Sequence, residues 1–210
     1  MTQIIRIDTE KIEWDKIRAV AGILESGGII IYPTDTFYGL GADCFSAAAV
    51  KKAYALKKRE LSKPLSVVVS DMEMLLTVAV DIPAVLKPLA GEFWPGPLTV
   101  ILRAGPLVPR ALLGSKNTIG VRIPAHSWLR RLIGVAGFPI TATSANLSGA
   151  KEIADPAHAV RVFRGKVAAV VDGGPAPGRS ASTIVDLTAE KPVLVRKGAV
   201  RSSRLEKFIL

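Results

Sequence analysis

The chain has 210 residues, 49% of them hydrophobic, with 28 Lys and Arg against 18 Asp and Glu. That length suits one large domain or two small ones with a substantial core, and the lack of any apolar run of about 18 residues argues against a transmembrane helix. The single Cys44 excludes an intrachain disulfide and any cysteine-rich metal site, and the formal charge of +10 favours anionic partners or a plain basic surface.

The N-terminus, MTQIIRIDTEKIEW, is charged early and lacks a signal-type apolar segment, so a soluble cytoplasmic protein without a membrane partner is expected. Residues 13–26 place Trp14, Ile17, Ala21 and Leu24 near helical spacing and stop at Gly27-Gly28. IIIY at 29–32 reads as a buried strand, running into YPTDTFYGLGADC, where Gly39 and Gly41 read as tools for a tight turn. Ser46 can cap a helix over 47–58, and LSVVV at 65–69 is a second strand. Asp81-Ile82-Pro83 opens a helix ending before WPGP at 94–97. LTVIL (98–102) and TIGVRI (118–123) are strand-like, SWLRRLIGVAG (127–137) is a short helix closing on glycine, and PITAT (139–143) is a strand. Asp155-Pro156 opens another helix, with proline at the favoured first position. VAAVV (167–171), STIVDL (182–187) and VLVRKG (193–198) are late strands, and SSRLEKFIL is a C-terminal helix.

Roughly seven or eight strands interleaved with about six helices predict an α/β protein with a mixed sheet. The late strands lack helices between them, so part of the sheet should be antiparallel. The Gly/Pro-rich GGPAPGRSAS (173–182) lies between two strands and reads as a mobile loop.

Several chemistries lack their motifs. The chain has no P-loop, no complete dinucleotide fingerprint, no H-E-x-x-H and no G-x-S-x-G. With His126 and His158 the only imidazoles, hydrolytic triads and zinc catalysis are disfavoured, and Cys44 reads as a small buried hydrophobe.

Four polar clusters sit at the ends of apolar strands, where open α/β sheets bind ligands. Thr34 and Thr36 flank Asp35, and their hydroxyls suit a small polar ligand or a local turn. Lys57, Lys58, Arg59 and Lys63 concentrate positive charge at a helix end, suited to phosphate or to the helix dipole. Arg122, inside a β-branched run, needs either a structural partner or a ligand carboxylate. TATSANLSG (141–149) offers Ser144, Asn146 and Ser148 on a tight turn able to approach phosphates closely, or an ordinary loop. With Ser182-Thr183 and Arg196, these clusters supply donors for anions but no obvious nucleophile or strong base. That favours catalysis by positioning and electrostatics.

Taken in order, GGIIIYPTDTFYGLGAD, KKRELSKPLSVVV, WPGPLTVIL, GVRIPAH, TSANLSG, STIVD and VRKGAV resemble the YrdC-like domain of the threonylcarbamoyl-AMP synthase family. The resemblance covers about residues 20–200 and implies a single YrdC-like domain over 1–210, in the family's short form. It implies a twisted, mixed parallel and antiparallel sheet flanked by helices around a basic central cleft. It implies formation of L-threonylcarbamoyl-AMP and pyrophosphate from L-threonine, bicarbonate or CO2, and ATP with Mg²⁺. The product would serve threonylcarbamoyladenosine modification of tRNA, through a separate downstream transferase machinery.

By motif position, the resemblance assigns Thr34, Thr36, Arg122 and Ser182 to threonine. It assigns Lys57, Arg59, Lys63, Thr118, Ser144, Asn146 and Arg196 to ATP, and no residue to a resident metal. Lys63 stands where many members carry asparagine, and Val68 where some place a histidine near threonine. Two rivals remain: a non-catalytic RNA-binding module, which the charge suits but the sparse aromatic residues do not, and carbamoyl transfer to another acceptor.

Overall fold

The computed structural model describes residues 1–114 and 116–209. The chain begins with β1 (Gln3–Arg6), α1 (Trp14–Glu25), β2 (Ile30–Tyr32), β3 (Gly39–Gly41), α2 (Ala47–Lys57) and β4 (Ser66–Val68). It continues through α3 (Met72–Leu75), β5 (Ala79–Val80), α4 (Leu86–Phe93), β6 (Leu98–Ala104), β7 (Thr118–Arg122), α5 (Ser127–Ala136) and β8 (Ile140–Ser144). It closes with α6 (Pro156–Phe163), β9 (Ala169–Asp172), β10 (Thr183–Asp186), β11 (Val193–Arg196) and α7 (Ser202–Ile209). Leu210, the last residue of the expected C-terminal helix, lies outside the described residues.

The strands form one mixed sheet in the order β1-β9-β2-β3-β8-β4-β7-β6-β10-β11, with β5 paired on β6. Most central strands are buried on both faces, which is why they read as continuous apolar runs. In β2, Ile31 points into the core under α2, α4 and α6, while Ile30 and Tyr32 point into the core under α1 and α5. β9 alternates likewise, with Val170 on the first side and Ala169 and Val171 on the second. α1 and α5 pack together through Ile17, Val20, Leu24, Leu129, Leu132 and Ile133. Among the described residues no helix is long and apolar enough to cross a membrane.

The capping signals hold. Ser46 Oγ accepts from Ala49 N at 3.2 Å. Asp155 accepts from the backbone of Ala157 and His158, with Pro156 in the first turn of α6. α4 differs: it starts at Leu86 rather than near Pro83, because Asp81 takes a left-handed φ of 50° and the chain turns before the helix begins. The late strands also split. β10 and β11 are antiparallel neighbours, but β9 joins β1 and β2 in parallel, far from β10.

Gly39 and Gly41 do not make the expected turn. They are β3, paired antiparallel with β2 and β8. Their lack of a Cβ makes room for the Tyr32 ring: a Cβ would lie 2.6 Å from Tyr32 Cζ at Gly39 and 2.7 Å from Cε1 at Gly41. Tyr32 is fully buried and its hydroxyl donates to Thr141 O at 2.9 Å. A rigid ring held at both ends cannot yield, so Gly39→Ala should cost about 1–3 kcal/mol by overpacking. Thermal unfolding should show the melting temperature lowered by roughly 3–10 °C.

Candidate active site

A cavity of about 210 Å³ is lined by residues from β2, β3, β4, β6, β7, β8, β10 and β11. It brings together Thr34, Thr36, Arg59, Arg122, Ser144, Ser182 and Arg196, segments spread over most of the sequence. Its strongly charged lining side chains are three guanidiniums and the Glu152 carboxylate. Val68 contributes apolar wall.

Arg122 is the most constrained of these groups, with its side chain 8% exposed. Nε donates to Gly96 O at 2.9 Å, Nη1 to Thr36 Oγ1 at 3.4 Å, and Nη2 to Asp35 Oδ1 at 2.5 Å. The structural partner expected for this residue is Asp35, and the guanidinium also lines the cavity. Thr34 Oγ1 donates to Phe37 O at 2.7 Å and accepts from Thr36 N at 2.9 Å. Its one proton is thus engaged, so the 3.0 Å contact between the two hydroxyls has Thr36 as donor. Thr34 braces the turn, and Thr36 is the hydroxyl that meets Arg122.

Across the cavity, Ser182 Oγ lies 2.9 Å from Thr99 Oγ1 and accepts from Arg196 Nη2 at 3.0 Å. Arg196 also clasps Ser182 O through Nε at 3.1 Å and Nη2 at 2.7 Å. Arg59 is held by Lys63 O at 2.7 Å and Pro64 O at 3.2 Å, leaving three of its five N–H groups without a partner among the described residues.

Four expected phosphate or nucleotide ligands do not line this cavity: Lys57, Lys63, Thr118 and Asn146. Lys57 is 1% exposed, and its ammonium donates to Ser144 O, to Asn146 O at 2.8 Å and to Asn146 Oδ1 at 2.9 Å. All three of its donors are engaged, so it anchors the TSANLSG loop. Burial, and then the nearby Arg59 charge, push its pKa down to about 8. Asn146 completes that anchor, accepting from Ser144 Oγ at 2.7 Å and donating to Ala150 O. Lys63 is exposed and paired with Glu60 at 3.3 Å; its carbonyl, not its ammonium, serves the site by holding Arg59. Thr118 starts β7 beside Gly114, whose backbone it bridges.

The sequence reading assigned no role to Asp35, Glu152, Thr99 or the Gly96 carbonyl. Asp35 carried the clearest signal: a carboxylate leaving a buried strand needs a cation as much as Arg122 needs an anion. The loop at 173–182, expected to be mobile, is fastened. Gly178 N donates to Thr36 O at 2.8 Å, Ala176 N to Ala154 O at 2.9 Å, and Tyr38 Oη to Gly174 O at 2.7 Å. Behind it, a second cavity of about 300 Å³ is bordered by Asp35, His126 and Glu10. Burial lowers the His126 pKa there against the raising influence of the two carboxylates. Cys44 is fully buried, and burial raises its thiol pKa, in keeping with a packing role.

A mixed α/β sheet brings arginines and hydroxyls together around one cavity. The Sua5/YciO/YrdC family model, described as telomere recombination, matches residues 22–198, and the chain belongs to that family. The threonylcarbamoyl-AMP synthase of Pyrococcus abyssi is 40% identical over 209 residues, covering 100% of this chain. This chain spans 61% of that relative's length. The structure of P. abyssi Sua5 complexed with L-threonine superposes with a TM-score of 0.92 at 38% identity, over 100% of this chain and 61% of that one. Escherichia coli YciO gives a TM-score of 0.89 at 28% identity, over 99% of this chain and 100% of that one.

Proposed function

We propose that the chain forms L-threonylcarbamoyl-AMP and pyrophosphate from L-threonine, bicarbonate or CO2, and ATP. The observation that carries the reading is Arg122, a cavity guanidinium with one N–H on each terminal nitrogen still without a partner, beside the Thr36 hydroxyl. Such a pair matches a carboxylate end-on, with charge and orientation together. Family membership and the names of the curated relatives support the same reading.

In this reading Arg122, Thr36 and Ser182 hold threonine. Its amine adds to CO2, and the proton released balances the one consumed in dehydrating bicarbonate. A carbamate oxygen attacks the α-phosphorus of ATP, and pyrophosphate leaves. Arg59 and Arg196 neutralise charge that grows on the phosphates, and Ser144 bonds near them. Among the described residues no group of three His, Cys, Asp or Glu could hold a metal ion. A Mg²⁺ ion is therefore proposed to enter on the phosphates of ATP, where it would supply charge neutralisation. The product would pass, in the cytoplasm, to a separate machinery that modifies tRNA.

Mass spectrometry of mixtures holding ATP, bicarbonate and threonine tests the proposal: the threonylcarbamoyl-adenylate mass should form, and vanish when any one substrate is left out. Binding of RNA with no such product would favour the non-catalytic rival. Arg59→Ala should lose about 2–4 kcal/mol of transition-state stabilisation, roughly 30- to 1,000-fold in threonine-dependent pyrophosphate release. Unchanged release by that variant would remove Arg59 from the phosphate site.

A further inference from the structure

We infer that Asp35 is a positioning residue for Arg122, fixing the guanidinium so that its end-on N–H pair faces the ligand. The inference rests on the proposed threonine-binding role of Arg122, and it goes beyond that role by giving the neighbouring carboxylate a task. The Asp35 side chain is 16% exposed and its Oδ1 lies 2.5 Å from Arg122 Nη2. The same guanidinium is pinned at Nε by Gly96 O and at Nη1 by Thr36 Oγ1. Three protein acceptors from two separate segments, Asp35-Thr36 and Gly96, thus define its plane. Rotation about the last side-chain bonds would break all three contacts together.

A resident carboxylate on a substrate-binding arginine has two opposite meanings. It can compete with the ligand, occupying the donors that the ligand needs, or it can hold the arginine for the ligand. The hydrogen-bond inventory separates them. A guanidinium has five N–H groups; one is on Gly96 O, one on Thr36 Oγ1 and one on Asp35 Oδ1. The remaining two, without a partner among the described residues, lie one on each terminal nitrogen, so each keeps a donor for a ligand oxygen. Asp35 therefore leaves the ligand's donors free. It also supplies the countercharge that lets the arginine stay buried before the ligand arrives.

The other oxygen, Oδ2, is buried without a hydrogen-bond partner and belongs to the wall shared with the second cavity, near His126. Asp35 is thus anchored to the main cavity through one oxygen only. Its contact with Arg122 is made through Oδ1, a place an amide oxygen can also fill, so Asp35→Asn keeps the positioning contact while giving up the countercharge.

The test compares Asp35→Asn and Asp35→Ala in the full chain. Asp35→Asn should raise the KM for threonine no more than about threefold, whereas Asp35→Ala should raise it at least 30-fold. The KM for ATP and kcat should change less than about threefold in both. A lower threonine KM in Asp35→Ala would mark Asp35 as a competitor and overturn the inference, as would equal losses in both variants. A second readout is independent of turnover: ¹⁵N NMR of the Arg122 side chain, assigned with Arg122→Lys. Restricted guanidinium rotation should persist in the wild type and Asp35→Asn and be lost in Asp35→Ala. If the wild type makes no threonine-dependent product but the NMR contrast holds, the functional reading fails and the positioning role stands. An Arg122 signal unchanged in Asp35→Ala sinks the positioning role.

Discussion

Arg122→Ala is expected to lower kcat/KM for threonine by about a thousandfold or more. Two losses combine. The ligand carboxylate loses a bidentate, charge-assisted pair, each such bond contributing about 1.5–3 kcal/mol. The protein also loses the partner of Asp35, whose side chain is 16% exposed. Stranding that carboxylate costs about 3–5 kcal/mol of stability when no rescue by water is available. The two effects separate in the double variant Arg122→Ala/Asp35→Ala. Removing both charges should recover much of the stability in urea denaturation while threonine-dependent turnover stays lost. Arg122→Lys should fall in between, because an ammonium keeps the charge but cannot bond Gly96 O, Thr36 Oγ1 and Asp35 together with a ligand in one plane. Turnover within threefold of wild type in Arg122→Ala would move the carboxylate site elsewhere in the cavity.

The strands that build the site were legible because burial on both faces leaves an unmistakable run, as in Ile29–Tyr32 and Ser66–Val69. The helix starts at Ser46 and Asp155 were legible because capping is local chemistry. What stayed hidden depended on partners distant in sequence. β3 reads as a turn because glycine usually marks one; only the Tyr32 ring lying across Gly39 and Gly41 explains why a strand needs them. Asp35 reads as a turn residue until β7 brings Arg122 beside it from 87 positions away. Lys57 and Arg59 stand two positions apart in a cationic run, yet the helix carries Lys57 inward and the chain beyond it brings Arg59 to the cavity. In α2 residues 49, 50, 53, 54 and 57 are the buried positions, so Lys57 falls on the apolar face. Arg59 lies past the left-handed Lys58 that ends the helix. Helical periodicity applied to the charges themselves, and not only to the apolar residues, would have placed Lys57 on the buried face.

Lys57→Met follows from that separation. At neutral pH the buried ammonium serves three oxygens, Ser144 O, Asn146 O and Asn146 Oδ1, and the Lys57 carbonyl receives Ser148 N at 2.9 Å. Methionine fills similar volume but donates nothing, so the carbonyls lose their donor, at roughly 2–4 kcal/mol in total. Ser144, whose backbone oxygen is one of the three, should shift from the cavity wall and turnover should fall with stability. The pH dependence identifies the cause. In the folded chain burial holds the Lys57 pKa at about 8, against 10.5 for an unburied lysine. Below pH 8 both states are protonated and the cost of burying the charge is fully present. Between about 8 and 10.5 the unfolded state binds the extra proton, so stability rises with pH, by at most on the order of 3 kcal/mol. Tyr38, raised by burial to about 12, acts in the opposite direction above pH 10, where the unfolded tyrosine ionises first. The buried Cys44 thiol, also raised by burial, opposes the rise from about pH 9, so the window of pH 8–10 is informative as the difference between wild type and Lys57→Met, in which both contributions cancel. Urea midpoints across it should rise for the wild type relative to Lys57→Met, and parallel curves would show that the ammonium is not the titrating group.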